Sequence, residues 1–358
     1  MKKNYFLFLL LFSGTVKGNA QETISILARP EKILIETGED KQSLNFDFLV
    51  TYSYTDTARV TKLELSVYDR NNKLELSRFL DENGTAPGIL VIPNRTFNGP
   101  SSQLMFNPFA EFASTITLSK LVYQWTFTKN NGEEIKQGIE VFPKSYLQQQ
   151  QFLFPLKGKV LIYDGHDLYS HHRRFDYEFK PIKALGISAN FMRYAYDFVL
   201  LDKEDKHFEG DGTKDEQYTG YGKPVYSIGA GKVIYLSNDH KDDKTFNIPG
   251  IATNPLELYG NCIAIQHGDG VVSIYGHLKQ NSIKVKLGDP VKALQEIAQI
   301  GVSGSSFFPH LHFEMRTSIQ HTAEGLPSYF ANVYQEVSSG LKKLRLGLVE
   351  TGNIIIAR

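Results

Sequence analysis

From Glu22 to Phe142 the chain alternates apolar and polar residues with a period of two, and this pattern constrains the fold more than any other feature of the sequence. Successive side chains of an extended strand point to opposite faces, so such a run can bury one face and wet the other. On a helix the same run would spread its apolar residues around the cylinder. The clearest runs are Lys32 to Thr37, Leu44 to Tyr54, Lys62 to Tyr68 and Leu121 to Thr128. Turn signals separate them, at Asn71-Asn72, Glu82-Asn83-Gly84 and Asn130-Asn131-Gly132. Short alternating runs divided by turns predict antiparallel strands, and for residues 22–145 an immunoglobulin-like β-sandwich. Nothing in this part gathers into a reaction centre, and its polar residues read as solvated strand faces.

Four consecutive glutamines, Gln148 to Gln151, interrupt the pattern and mark the expected domain boundary. A second strand-rich domain is expected over residues 152–317, which makes the chain all-β. The stretch Asp202 to Tyr221 is dense in Asp, Glu, Lys and Gly but lacks the ordered spacing of a calcium loop, so it reads as an exposed loop. Residues 318–358 form a tail expected to pack on the second domain, with one short helix over Tyr329 to Leu341 followed by strand-like pieces.

Charge and cysteine narrow the function classes. The chain carries 39 basic and 39 acidic residues, so it offers no positive field to a polyanion, and no nucleic-acid partner is expected. The single cysteine, Cys262, rules out an internal disulfide framework and any Cys-x-x-Cys zinc or redox motif; within an alternating strand it reads as a small core residue. At the N-terminus Lys2 and Lys3 precede an apolar run, Tyr5 to Phe12, and then small residues up to Gly18-Asn19-Ala20. That order is the order of a cleavable secretory signal over residues 1–20, too short for a stable membrane anchor. Export to the periplasm or the medium is expected, with no transmembrane segment in the mature chain.

All ten histidines lie at or beyond His166, so imidazole chemistry belongs to the second domain. In Pro309-His310-Leu311-His312-Phe313-Glu314, His310 and His312 are two apart on a strand and project from one face, while Leu311 and Phe313 enter the core. Two imidazoles so placed suit a metal site or an acid–base pair. Asp197 sits inside the apolar strand Tyr194 to Leu200, where an unpaired carboxylate would cost several kcal/mol. Its compensation is either a metal or the nearby Arg193. His277 ends the segment Ser273 to Leu278 beside Gly276. The pair His171-His172, before Arg173-Arg174, lies in a loop and reads as ligands or as solvent-facing rings.

Taken in order, the segments Gly222 to Val233, Gly260 to Gly268, Tyr275-Gly276-His277-Leu278, Val285 to Val291, Gly301 to Gly304 and Pro309 to Phe313 resemble the lysostaphin-type (LytM-type) zinc endopeptidases. The resemblance covers roughly Leu185 to Arg316. It implies a β-rich peptidase domain that binds one Zn²⁺ per chain and cuts peptide bonds in the stems or cross-links of bacterial peptidoglycan. The family's Asp ligand falls on Asp197 and its last His ligand on His312; its two non-ligating catalytic histidines fall on His277 and His310. One position departs. The family's usual first ligand, four residues before the Asp, is here Arg193, which cannot bind a metal because its guanidinium stays protonated. A branch of the family takes that ligand from an upstream His-Arg-Arg loop, which implies His172, with His171 as its competitor and a degenerate site as the third outcome.

On this reading His310 is the general base and His277 stabilises the oxyanion or protonates the leaving amine, roles that could be exchanged. Gly301 and Gly304 allow tight turns at the groove wall. Three functions follow: a zinc endopeptidase acting on peptidoglycan; a non-catalytic peptidoglycan-binding or hydrolase-regulating module with a degenerate site; and a purely structural β protein. The sandwich is expected to be an accessory domain through which a protein partner could dock, and to be dispensable for metal binding.

Overall fold

A computed structural model describes residues 22–358. The expected secretory signal at 1–20 lies outside the described residues. The described chain is almost entirely β, as the alternation requires, and none of its helices is long and apolar enough to cross a membrane.

Each of the four alternating runs contains a strand or lies within one: Leu34–Thr37, Asp47–Tyr52, Thr57–Tyr68 and Lys120–Lys129. Asp47–Tyr52 is the middle of a three-stranded sheet between Ile24–Arg29 and Ser101–Phe106. Lys120–Lys129 pairs with Glu134–Val141 on one side and with Thr57–Tyr68 on the other. The two sheets share one core, in which Phe48 meets Tyr123 and Trp125 edge-to-face with ring centroids 4.9 and 5.0 Å apart. Aromatic pairs in this orientation align ring edge with ring face and add to the area they bury.

The glutamine run is tied down. Gln148 donates through Nε2 to the Tyr329 carbonyl (3.0 Å) and accepts from the Tyr329 amide (2.9 Å). Beyond it an eleven-stranded sheet begins, and its centre runs Gly231–Ser237, Cys262–His267, Val272–Gly276, Leu311–Arg316, Tyr196–Leu200 and Gly158–Asp164 in spatial order. Cys262 is buried in this sheet, as its strand position predicts. The sheet continues into the tail: Ile354–Ala357 pairs with Gly158–Asp164, then Val333–Val337 and Gly340–Lys343 follow. The expected helix over Tyr329 to Leu341 is therefore not formed. Val333–Val337 gains a partner strand on each side, and Gly340, at φ 112°, follows the Ser338-Ser339 turn that folds Gly340–Lys343 back against it. A helix there would have left Gly340–Lys343 without a partner and one edge of Ile354–Ala357 open.

Candidate metal centre

Strand register assembles most of the site. Leu311–Arg316 lies between Tyr196–Leu200 and Val272–Gly276, so that His312 stands opposite Asp197 on one side and Gly276 on the other. Side chains of directly paired residues lie about 5 Å apart on one face. Asp197 and His312 accordingly meet, with His312 Nδ1 3.1 Å from Asp197 Oδ1. His310, two residues upstream, shares that face and brings Nε2 to 3.4 Å from the same oxygen. His277 follows Gly276 at the strand end with φ 57°, a left-handed conformation uncommon for a residue with a Cβ. There its Nδ1 is tied to the Ser303 carbonyl at 2.8 Å, and its ring lies 4.9 Å from that of His310, centroid to centroid.

The fourth imidazole comes from the loop. His172 is 1 % exposed and turns Nε2 to 3.5 Å from Asp197 Oδ1, while Nδ1 faces the Gly165 carbonyl at 3.1 Å. The loop is braced around it: Asn190 Nδ2 donates to the His172 carbonyl (3.0 Å) and the His172 amide donates to Ser170 Oγ (3.2 Å). His171, its competitor for the first-ligand position, is 66 % exposed. It places Nδ1 on the Asp164 carboxylate and holds Nε2 4.0 Å from Asp197 Oδ2. Asp164 thus joins His171, His172 and Asp197 in one compact group of donor atoms. The sequence offered no signal for it, because an Asp at the end of a strand is ordinary. Its place at the site follows from a bulge that sets it opposite Asp197.

Arg193 does not compensate Asp197. Its guanidinium turns away to Asp47 (2.7 Å) and Glu324 (3.4 Å), so the pairing that the sequence left open is not made. Asp197 is instead surrounded by imidazoles. Burial pushes its carboxyl upward, but His172 and His310 outweigh burial and hold it well below the ordinary carboxylate range. Burial lowers His172, and lowers His277 strongly with help from the neighbouring imidazoles, which keeps both neutral at pH 7. His312 goes the other way: burial alone would lower it, but the carboxylates of Asp197 and Glu314 raise it to about 9.

The donor set fits zinc. Bonds of about 2.0–2.1 Å in a tetrahedron put neighbouring donors roughly 3.3 Å apart, and His312 Nδ1 and His172 Nε2 lie 3.1 and 3.5 Å from Asp197 Oδ1. Two nitrogens and one carboxylate oxygen are the donors of catalytic rather than structural zinc sites, leaving a position open. The far nitrogen of His312 makes no hydrogen bond and faces Glu314 Oε1 at 3.6 Å, so the carboxylate backs the ring as metal-binding histidines commonly require. Tyr259 stacks on the same ring at 4.6 Å. The remaining histidines serve elsewhere: His166 binds Glu36, His267 binds the Ala230 carbonyl and Ser273, His321 binds the Ile251 carbonyl, His207 meets Phe208 edge-to-face, and His240 lies 3.9 Å from Glu257.

Residues 217–324 match the model of peptidase family M23. That stretch contains His277, His310 and His312, whereas Asp197 and His172 precede it and reach the site through strand pairing and the loop. The chain is 35% identical over 95 residues to lipoprotein NlpD of Yersinia enterocolitica, a match covering 26% of this chain and 78% of that protein. It is 33% identical over 95 residues to cell division protein DipM of Caulobacter vibrioides, covering 26% of this chain but only 13% of the relative's length. Among solved structures, the catalytic domain of lysostaphin from Staphylococcus simulans is 27% identical, with 37% of this chain and 74% of that one covered and a TM-score of 0.25. With a relative this similar covered over most of its length, and with three of the site's histidines inside the matched segment, the chain belongs to peptidase family M23.

Proposed function

We propose that the chain is a zinc-dependent endopeptidase that cuts peptide bonds in the stems or cross-links of peptidoglycan. The observation that carries this reading is the convergence of His172 Nε2 and His312 Nδ1 on Asp197 Oδ1, with two further imidazoles, His277 and His310, beside them. The presence of His172 supports a complete ligand set and weighs against a degenerate one, since it supplies the nitrogen that Arg193 cannot.

Zinc held by His172, Asp197 and His312 would supply Lewis acidity, lowering the pKa of a water toward about 7 and polarising the scissile carbonyl. The protein's own part falls to His277 and His310. His310 Nδ1 faces the Phe308 carbonyl at 2.8 Å and His277 Nδ1 faces that of Ser303 at 2.8 Å, so the neutral tautomer of either ring carries its proton on Nδ1 and turns the lone pair of Nε2 toward the site. We assign His310 as the base that takes the proton of the attacking water, because its Nε2 lies beside the ligand set, 3.4 Å from Asp197 Oδ1. His277 then stabilises the developing oxyanion or hands a proton to the departing amine. Burial of all five groups keeps bulk water from competing with these transfers.

Export goes with this reading, since the proposed substrate lies outside the cytoplasm and the N-terminal run has the order of a secretory signal. The test is incubation of the zinc-loaded protein with purified cell-wall sacculi and mass analysis of released fragments. New amine termini at a defined peptide bond are expected, and their loss on chelation. Metal binding without any released fragment would refute the enzyme and leave a binding or regulating module.

A further inference from the structure

Two arginines border the metal centre in sequence: Arg173 follows His172, and Arg193 lies four residues before Asp197. Both are buried, and both reach the same carboxylate of the sandwich. Asp47, itself 0 % exposed at the start of the Asp47–Tyr52 strand, takes Arg173 on Oδ1 and Arg193 on Oδ2, the latter at 2.7 Å. The residues before it join in. Arg173 Nη2 donates to the Phe46 carbonyl, and Asn45 Nδ2 donates to the carbonyls of Arg193 (2.8 Å) and His166 (3.3 Å). Leu104 of the sandwich is buried in one cluster with Tyr177, Ile187, Phe191 and Met192, the apolar residues of the loop that carries His172, and Phe106 packs against that cluster.

We propose that Asp47 is a positioning residue for the metal: the sandwich, through this one carboxylate, holds the His172 loop and the Asp197 strand in mutual register and cancels positive charge that would otherwise oppose a dication. The inference rests on the proposed zinc site. Two guanidinium groups face two carboxylates, Asp47 and the half-buried Glu324, and Glu324 reaches Arg193 alone. Removal of the Asp47 charge leaves Arg173 with a carbonyl as its remaining acceptor and adds a net positive charge behind the ligand set. Both effects weaken cation binding. The sandwich is on this account part of the metal centre rather than dispensable to it.

The test uses the full chain and Co²⁺ as a spectroscopic probe, with zinc affinity from competition against a chromophoric chelator. Asp47→Asn is expected to weaken both metals by at least about tenfold, the scale of losses on removing outer-shell partners, and to shift the visible Co²⁺ bands. Val50→Ala, in the sandwich core on the same strand, is expected to lower stability while leaving affinity and bands as in the parent. If Asp47→Asn does not fold, Asn45→Ala decides: it removes two hydrogen bonds to the loop and buries no charge, and a several-fold loss of affinity is expected. Parental affinity in Asp47→Asn, or in Asn45→Ala if that variant decides, overturns the inference, as does an equal loss in Val50→Ala. A parent chain that takes up no metal overturns the zinc reading itself, a separate result.

Discussion

Replacing His172 by alanine separates the two candidates for the first ligand. A structural zinc site with four ligands binds with about 10–16 kcal/mol, or roughly 2.5–4 kcal/mol per ligand. At about 1.4 kcal/mol per decade this puts the loss for one ligand at roughly two to three decades in Kd. The metal-free fold should hardly notice. His172's side-chain hydrogen bond within the loop is the one to the Gly165 carbonyl, and that carbonyl keeps the Ser170 hydroxyl when the imidazole is removed. A lost hydrogen bond of about 1 kcal/mol would lower Tm by about 1–2 °C in a chain of this size. His171 is mostly exposed, with Nε2 4.0 Å from Asp197 Oδ2, so His171→Ala is expected to change zinc affinity by less than about threefold. Competition titration gives the affinities, native mass spectrometry the stoichiometry, and calorimetry of metal-free samples the stability. The assignment is refuted if His172→Ala keeps the parent affinity, or if His171→Ala loses as much as is expected of His172→Ala.

Four further outcomes follow from the same structure. Chelation should lower Tm, because a ligand present at a hundredfold over Kd stabilises by about 2.7 kcal/mol; scans with and without chelator check this, and an unchanged Tm would count against a bound metal. Glu314→Gln leaves the buried Arg316 guanidinium without its carboxylate and should cost about 3–5 kcal/mol by denaturant titration. Gly304→Ala should destabilise by more than about 1 kcal/mol and abolish activity: at φ +76° its Cβ would come within 2.4 Å of the Gly260 amide nitrogen, displacing the Ser303 carbonyl that holds His277. Glu82 gives a pH test. Burial raises its carboxyl, but Arg59 and Arg95 outweigh burial and hold it below the ordinary 4.5, so its stabilisation is complete above that pH and disappears as pH falls through the lowered value. The Tm gap between parent and Glu82→Gln, worth at most about 1 kcal/mol for so exposed a network, should therefore close on acidification.

Local pattern determined a good deal of this protein. Alternation at period two identified four of the strands before the glutamine run, and His-x-His placed His310 and His312 on one face, because strand geometry acts between residues two apart and needs no partner. Asp197 announced itself because a carboxylate inside an apolar strand must be compensated, and His172 and His277 were named from the order of motifs. What compensates Asp197 was beyond the reach of local sequence. Arg193, four residues away, was one of the two candidates, yet its guanidinium is claimed by Asp47, which lies 146 positions distant. Asp164 was invisible for the same reason, since a bulge in strand pairing carries it to the site. The tail was misread because a segment as short as Val333–Val337 has too little periodicity to choose its own conformation, and the open edge beside Ile354–Ala357 chose it. Sequence by itself thus determined which side chains could do chemistry and which face each shares with its strand neighbours. Tertiary structure alone decided which charges meet, because ion pairs and sheet edges are satisfied by whatever group the fold brings within a few ångströms, regardless of its distance along the chain.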